Sequence, residues 1–325
     1  MATVFKNLLS NDIATTRTLL NEAIPITGTI VSGTYNDENI KNYAHGMFQS
    51  VYDYPYLSSS ANHIFDITYG YTSEYSASAN LQNAKKLNIY NQMAQVLVGY
   101  DVTGSIRKFD RDGDFATTGS NSKLETCVFL NYSRLLTKDE VKKGSYRLTI
   151  SGSGGSKVIG DYGAQNDYRV NSPTGEYGVL YTSSAAVAGT GVGLIYYQAG
   201  VAVLTASSDL FTNATSFTGT LSISGTADAV RERWIDNDFN NTTELNSTVY
   251  FCRLNNNEFN YSSNPTYLSG SKIVTKEKST DPSVAYVTSI GLYSADNELL
   301  AVAKLSEPLK KDQNNELTLR VRLDY

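Results

Sequence analysis

The chain ends in three β-type segments separated by two polar turns. The first, Val284–Tyr293, is rich in Val, Ile, Thr and Tyr, residue types that strands favour. The second, Leu299–Leu305, follows the turn Ser294–Asn297. In the third, Glu316–Asp324, polar and apolar residues alternate strictly, which predicts an antiparallel strand with one buried face. We therefore expect the C-terminal part of the chain to fold as antiparallel sheet.

The alternation in the third segment assigns its side chains to two faces of a strand. The apolar set is expected to face a core and consists of Leu317, Leu319, Val321 and Leu323. Arg320 and Arg322 project from the other face, towards solvent or a partner chain. Both arginines are therefore candidate interface residues.

The long helical patterns lie in the N-terminal third, and only short helical turns are predicted later, near Thr137–Glu140 and after Thr226. In Asp37–Asp53, apolar residues recur with the spacing of one face of an amphipathic helix. Residues 79–98 have a similar stripe and predict a second amphipathic helix, whose buried face is expected to consist of Leu81, Ala84, Leu87, Tyr90, Met93, Ala94 and Leu97. Thr15–Ala23 predicts a short helix before Pro25. Asn62–Tyr71 alternates like a strand.

The sequence pattern predicts further strands in the middle of the chain. Gly193–Gln198 and Val201–Ala206 predict a hairpin, whereas residues 151–176 are Gly-, Ser- and Asn-rich and predict a long loop. We expect an α+β fold, predominantly antiparallel β-sheet and sandwich-like, with two amphipathic helices in the N-terminal third.

At 325 residues the chain exceeds the usual size of one core. We divide it into an N-terminal adaptor and helical region (1–100), a β-rich middle domain (101–235) and a C-terminal β-domain (236–325) that packs with the N-terminal part. The middle domain is either inserted into a domain shared by the two ends or arranged in tandem with them.

Composition bears on the class of partner. The net charge is −5, and no basic run suits contacts with phosphates, so we expect no nucleic-acid partner. The sequence has neither an apolar run long enough to span a membrane nor the pattern of a signal peptide, so we expect no membrane partner. The 24 tyrosines suit either protein–protein contacts or strand interiors.

Local motifs predict no catalytic, cofactor or metal site. The two histidines, His45 and His63, and the two isolated cysteines, Cys127 and Cys252, lack the spacing of a metal site. Asp110–Asp114 contains three alternating carboxylates, which indicate either a tight turn at Asp112-Gly113 or a weak surface cation site.

Several stretches resemble a family of viral proteins. Ile290–Tyr293 with Leu299–Leu305 resembles a segment of phage tail-collar fibre proteins. Asn240–Cys252 and Asn257–Pro265 resemble virion structural proteins of large contractile-tailed marine bacteriophages, and the resemblance also includes Gln92–Leu97 and Leu135–Glu140. The resemblance implies a non-enzymatic component of the tail baseplate or neck–tail apparatus, assembled in the host bacterial cytoplasm. Its implied partners are other tail or baseplate proteins and further copies of itself.

The Asn-rich segment at residues 255–267 is the best non-catalytic candidate site. Its aromatic residues either insert into a neighbouring subunit or pack against their own loop. With residues from the C-terminal strands, the candidate interface set is Phe259, Tyr261, Tyr267, Tyr293, Arg320 and Arg322. The alternative function is a receptor-binding, carbohydrate-binding or carbohydrate-active tail protein, because a pair of catalytic carboxylates leaves no local sequence pattern.

Overall fold

A computed structural model describes residues 5–26, 37–75, 81–114, 123–152, 154–182, 190–212, 214–219, 221–262, 264–276 and 278–325. The described chain is mostly antiparallel β-sheet with few helices, which confirms the predicted α+β class. Its α-helices are α1 (Leu81–Leu97), α2 (Arg134–Thr137), α3 (Ala214–Thr218) and α4 (Ile223–Arg231).

The strands up to the end of the middle region are β1 (Ile13–Pro25), β2 (Ile40–Asn42), β3 (Gln49–Tyr52), β4 (His63–Tyr71), β5 (Thr126–Tyr132), β6 (Glu140–Val141), β7 (Arg147–Gly152), β8 (Gly155–Gly160), β9 (Arg169–Ser172), β10 (Gly175–Leu180), β11 (Gly193–Tyr196) and β12 (Val201–Thr205). The later strands are β13 (Trp234–Leu254), β14 (Leu268–Ser269), β15 (Lys272–Ile273), β16 (Val284–Tyr293), β17 (Leu299–Asp312) and β18 (Leu317–Asp324).

The chain divides into two compact units. The central unit is Leu19–Thr243, and the terminal unit combines Met1–Thr18 with Glu244–Tyr325. The chain therefore passes from one unit to the other within β1 and again within β13. These limits differ from those of the three-part division predicted from the sequence.

The central unit is built on an eight-stranded antiparallel sheet, with strand order β2-β3-β4-β5-β12-β11-β10-β9. This sheet is buried on both faces. Along β5, Phe129 belongs to one cluster of buried apolar residues, whereas its neighbours Val128 and Leu130 belong to another. Because successive side chains point to opposite faces, both faces carry a core. Two-sided burial explains why β5 and β12 read as continuous apolar runs.

One face of this sheet packs against a second sheet, which gives the sandwich. In the central unit the second sheet contains β6, β7, β8 and the part of β13 up to Thr243. Leu148 and Ile159 contribute to the shared core. The indole ring of Trp234 stacks on Phe65 from β4 at a centroid distance of 4.8 Å.

The other face of the sheet is covered by α1, close to the predicted helix at residues 79–98. Its second half buries Ile89, Tyr90 and Ala94 as an apolar stripe requires. In its first half the prediction was wrong: Leu81 is exposed, and the fully buried side chain is Lys86. The Lys86 ammonium donates to the Phe217 carbonyl at 2.7 Å.

Two aromatic rings lie next to the buried Lys86 ammonium. Lys86 Nζ lies 5.7 Å from the ring centroid of Tyr69 and 5.8 Å from that of Tyr71. Burial lowers the pKa of the Lys86 ammonium, since water no longer solvates the charge. The hydrogen bond and the two ring faces partly replace that solvation.

The predicted helix Asp37–Asp53 was wrong. The segment forms the β2–β3 hairpin, in which Ile40 pairs with Val51. Gly46, near its centre, adopts a φ of 60° and donates its N–H to the Tyr43 carbonyl in a turn. A glycine in this left-handed conformation ends a helix, and pairing of β3 with β4 supplies hydrogen bonds that a local helix would otherwise provide. The helical spacing of its apolar residues is coincidental.

Two other local predictions were also wrong. Thr15–Ala23 lies within β1, where Thr and Ile favour a strand that pairs with β13. Residues 151–176, predicted as one long loop, contain β8 and β9. Pairing of β8 with β7 supplies the hydrogen bonds for a Gly- and Ser-rich sequence that has little intrinsic preference for strands.

The terminal unit contains the C-terminal strands that the sequence predicted. Residues Ser247–Leu254 of β13 pair with β18 in antiparallel register. β16 and β17 form a separate two-stranded sheet, here called the ribbon. β16 has the predicted limits, and β17 continues to Asp312, beyond the predicted end at Leu305.

Gly70 in β4 marks the closest approach between the main sheet and α1. A Cβ atom at this position would lie 2.7 Å from the Tyr90 backbone nitrogen and 2.8 Å from the Lys86 carbonyl oxygen. We expect Gly70→Ala to destabilise the central unit by about 1–3 kcal/mol, because the helix has to move away from the sheet. Chemical denaturation followed by fluorescence of the single tryptophan, Trp234, measures this effect.

Gly219→Ala is the matched control. A Cβ at that position has its nearest neighbour, the Ser216 carbonyl oxygen, at 4.0 Å. Equal denaturation midpoints for the two alanine variants would contradict the close packing of α1 on β4.

Candidate interaction surface

The terminal unit has few buried apolar side chains. Both clusters of buried apolar residues lie between Ile24 and Phe239, inside the central unit. Among the described residues of the terminal unit, the buried apolar side chains are Val249, Leu254, Ala285 and Val321. Protein units of about 100 residues usually bury far more apolar surface than this.

Many large apolar side chains of the same unit are instead exposed. Most of them come from the N-terminal segment, the Asn-rich segment and the ribbon. The set is Phe5, Leu9, Ile13, Leu245, Phe259, Tyr261, Val274, Tyr286, Tyr293, Leu299, Leu300, Val302 and Tyr325. The terminal unit thus has about as many exposed large apolar side chains as the central unit, which is more than twice as long, and a high density of such side chains is typical of interaction surfaces.

All of the fully buried tyrosines of the described chain belong to the central unit, among them Tyr69, Tyr146 and Tyr197. The six tyrosines of the terminal unit are half-buried or exposed. The central unit also has exposed tyrosines, which are Tyr54, Tyr56, Tyr100 and Tyr168. Both interpretations of the tyrosine content therefore apply, and only the buried group is confined to one unit.

A groove of about 830 Å³ lies within the terminal unit. Its walls come from residues 5–8, from β13 and β18, from the Asn-rich segment and from the ribbon. Phe259, Tyr261 and Tyr293, three of the predicted interface residues, line it together. Leu319 and Leu323 of β18 line it as well, so the apolar face of that strand borders the groove. Only Val321 of the predicted core-facing set is buried, and the other three are half-buried.

A buried lysine holds the Asn-rich segment in place. Lys311, at the end of β17, has no exposed side-chain surface. Its ammonium donates to the Asn256 carbonyl at 3.2 Å, the Asn260 side-chain oxygen at 2.7 Å and the Asp312 carbonyl at 2.7 Å. These three acceptors use all three donors of the ammonium, as a buried cation requires.

The anchored loop contains a backbone conformation that is uncommon for a large residue. Phe259 adopts a φ of 56°, in the left-handed region. This conformation costs roughly 1–2 kcal/mol for a residue with a Cβ atom. The bonds from Lys311 to residues on either side of Phe259 offset that cost, and the Phe259 ring remains 39% exposed. Backbone strain that leaves an aromatic ring in solvent is typical of binding loops.

Ion pairs fix the N-terminal segment against this part of the unit. Lys6 pairs with Glu258. The hydrogen bond from Lys6 lowers the pKa of the Glu258 carboxyl, because it favours the charged form. Arg253 of β13 donates to Asp12 at 2.7 Å, and the buried Asp12 carboxylate also accepts the Leu9 N–H at 3.2 Å.

Tyr293 and Tyr267 have different surroundings. The Tyr293 ring contacts Phe5 edge-on at 4.9 Å and lies within 3 Å of the position that a Cβ on Gly291 would take. Tyr293 is 45% exposed and available to a partner. Tyr267 is half-buried and accepts the Tyr286 N–H at 3.2 Å, so its hydroxyl helps to position β16.

Arg320 and Arg322 lie on the face of β18 opposite the groove-lining leucines, as the alternation predicts, and both are exposed. The Arg322 Nε donates to the Ser247 hydroxyl at 2.9 Å and to Asp324 at 2.8 Å. Hydrogen bonds from Ser247 and Arg322 lower the pKa of Asp324. The structure thus brings three of the predicted residues together at the groove and places the arginines on a different surface.

The Asp110–Asp114 segment belongs to the central unit. Ligand atoms of Asp110, Asp112 and Asp114 lie within 4.8 Å of one another. Gly113 has a φ of 73°, as a tight turn requires. Burial raises the pKa of Asp110 to about 6, and the Lys123 ammonium pairs with its carboxylate. Lys123 therefore already supplies a positive charge where a cation would bind.

Two features of the surface had weak sequence signals. Lys311 is the second of two adjacent lysines, and its neighbour Lys310 is exposed, so composition gives no sign of its burial. Phe5 lies outside every periodic segment. The cysteines are free thiols; Cys127 is buried, and Cys252 is half-buried at the groove.

No known protein family, curated protein or solved structure matches the chain. Within the described residues, no helix has the length and apolar character needed to cross a membrane.

We expect Lys311→Met to release the Asn-rich segment. Methionine keeps the length of the side chain but leaves three acceptors without their donor, at a cost of about 2 kcal/mol or more. Hydrogen exchange of residues 255–261 should become faster, and the thermal stability of the terminal unit should fall.

Lys310→Met is the control, because the Lys310 side chain is 54% exposed and forms only a long ion pair with Asp312, at 3.7 Å. If both variants leave exchange in residues 255–261 unchanged, Lys311 does not hold the loop.

Proposed function

We propose that this protein is a non-enzymatic structural component of a phage virion, located in the tail baseplate or neck–tail apparatus. It acts by binding neighbouring subunits through its terminal unit. The observation that carries the proposal is the scarcity of buried apolar residues in that unit, together with its many exposed ones. A unit of this kind gains its missing burial from other chains.

The resemblance of the C-terminal segments to tail-collar fibre and virion structural proteins supports the same proposal. Of the residues that carry it, Ile290–Tyr293, Leu299–Leu305 and Asn257–Pro265 belong to the ribbon and the Asn-rich segment, whereas Gln92–Leu97 and Leu135–Glu140 lie in the central unit. Part of the resemblance therefore falls on segments with exposed apolar side chains. The position in the tail and the identity of the partner proteins come from the resemblance alone.

Carbohydrate binding is the second candidate function. Aromatic residues line the groove, including Tyr261 and Tyr293, and exposed aromatic rings can stack on sugars. For hydrolysis the groove is less suited. Two-carboxylate glycosidases require a second acidic group, whereas among the described residues that line the groove the one carboxylate, Asp12, is held by Arg253.

Leu300→Asp tests the proposed interface. Leu300 is 68% exposed in the ribbon, so a charge there should leave the isolated protein folded and within about 0.5 kcal/mol of the parent stability. In the assembled interface the same charge would be buried without a partner, at a cost of several kcal/mol. We expect incorporation into purified particles, measured by quantitative mass spectrometry, to fall by at least about tenfold.

Leu135→Asp is the matched control, with the same chemical change at a leucine of the central unit that is 72% exposed. Normal incorporation of both variants would show that the ribbon is not part of the interface.

Turnover of polysaccharide or peptidoglycan by the purified protein, abolished by changing one carboxylate, would overturn the non-enzymatic assignment. Binding of a glycan that Tyr261→Ala abolishes would favour the second candidate.

A further inference from the structure

The ribbon has one edge that lacks the usual protection of an edge strand. β17 contains Lys304, Glu307, Pro308 and Lys310, the residue types that natural proteins place on edges to prevent further pairing. β16 contains no charged residue and no proline over its ten residues. Within the described part of the chain, β17 is the only strand that pairs with β16.

The same contrast appears in the regularity of the two strands. Between the pairs Val287–Leu309 and Ser289–Lys304, β16 has one residue where β17 has four. The irregular segment, which includes Pro308, therefore belongs to β17. A regular strand is the better template for another strand, because its outward N–H and C=O groups keep the spacing of a ladder.

Part of the outer edge of β16 is already occupied. The Val284 N–H donates to the Thr275 carbonyl at 3.0 Å, and the Tyr286 N–H donates to the Tyr267 hydroxyl at 3.2 Å. Both bonds lie at the beginning of the strand. The second half, Val287–Tyr293, is the segment that can accept a further strand.

The charge distribution is compatible with a second copy of β16 as that strand. The terminal unit contains eleven Lys and Arg residues and eleven Asp and Glu residues, so the whole net charge of −5 belongs to the central unit. Two terminal units can therefore approach each other without net repulsion, whereas two central units repel. In an antiparallel pair of identical β16 strands, no like charges face each other, because the strand has none.

We propose that β16 pairs antiparallel with β16 of a second copy of this chain across a twofold axis. The two ribbons then form one four-stranded sheet in the order β17, β16, partner β16, partner β17. A sheet of four strands is more stable than an isolated two-stranded ribbon, and a twofold contact uses the same surface on both copies. This inference shares one assumption with the proposed function, namely that the terminal unit acts in assembly.

Sedimentation velocity of the purified full chain over a concentration series tests the pairing. We expect a reversible monomer–dimer equilibrium. Ser289→Lys places an ammonium on an exposed position beside Ile290, the midpoint of Val287–Tyr293, and brings two such charges close to each other diagonally across the axis, so the dimer dissociation constant should rise by at least about tenfold.

Ser306→Lys is the matched control, since it adds the same charge at an exposed position of β17, on the protected strand of the same ribbon. Its dissociation constant should remain that of the parent. A parent that stays monomeric throughout the series overturns the inference, and so does equal weakening by the two lysines. Unchanged Trp234 fluorescence shows that each variant retains the folded central unit.

The outcomes separate this inference from the proposed function. A monomeric parent whose incorporation into particles still depends on Leu300 refutes the β16 pairing and leaves the virion interface in place. A dimer that Ser289→Lys dissociates, combined with normal incorporation of Leu300→Asp, supports the pairing and refutes the ribbon's role in the virion.

Discussion

Burial of the eight-stranded sheet on both faces is the constraint on which the rest of the structure depends. The central strands β5 and β12 send alternate side chains into two separate cores, one shared with the second sheet and one with α1. Nearly all of the buried apolar surface of the chain is therefore in one unit. The central unit can fold through its own contacts, whereas the terminal unit has to be stabilised largely by other interactions.

Polar interactions provide much of that stabilisation in the terminal unit. Lys311 forms three hydrogen bonds inside it, Asp12 links the N-terminal segment to β13 through Arg253, and Lys6 pairs with Glu258. The exposed ion pair contributes little by itself, whereas the buried ammonium matters more because its loss leaves several acceptors unpaired. Hydrogen bonds are directional and therefore fix the positions of backbone atoms, whereas a small number of apolar contacts does not fix them.

The sequence predicted those parts of the fold that local pattern determines. Val284–Tyr293 has the predicted limits because a run of β-branched and aromatic residues between turns leaves little alternative. The predicted helix Asp37–Asp53 failed because pairing with a distant strand, and the turn at Gly46, outweighed a local periodicity. Phe259 and Tyr261 could be predicted as candidates from composition, whereas the burial of Lys311 depends on a loop 50 residues away and has no local signal.

The balance of forces in the terminal unit explains why its apolar side chains remain exposed. An apolar side chain that packs into its own unit is no longer available to a partner, so a unit designed for assembly needs a different source of order. Lys311 supplies that order for the Asn-rich segment and holds Phe259 in a left-handed conformation before any partner binds. A loop that is already ordered loses less conformational entropy on association, so more of the free energy of apolar burial contributes to affinity. In the proposed assembly function, buried polar contacts therefore keep the Asn-rich segment ordered, and the exposed apolar side chains bind the partner.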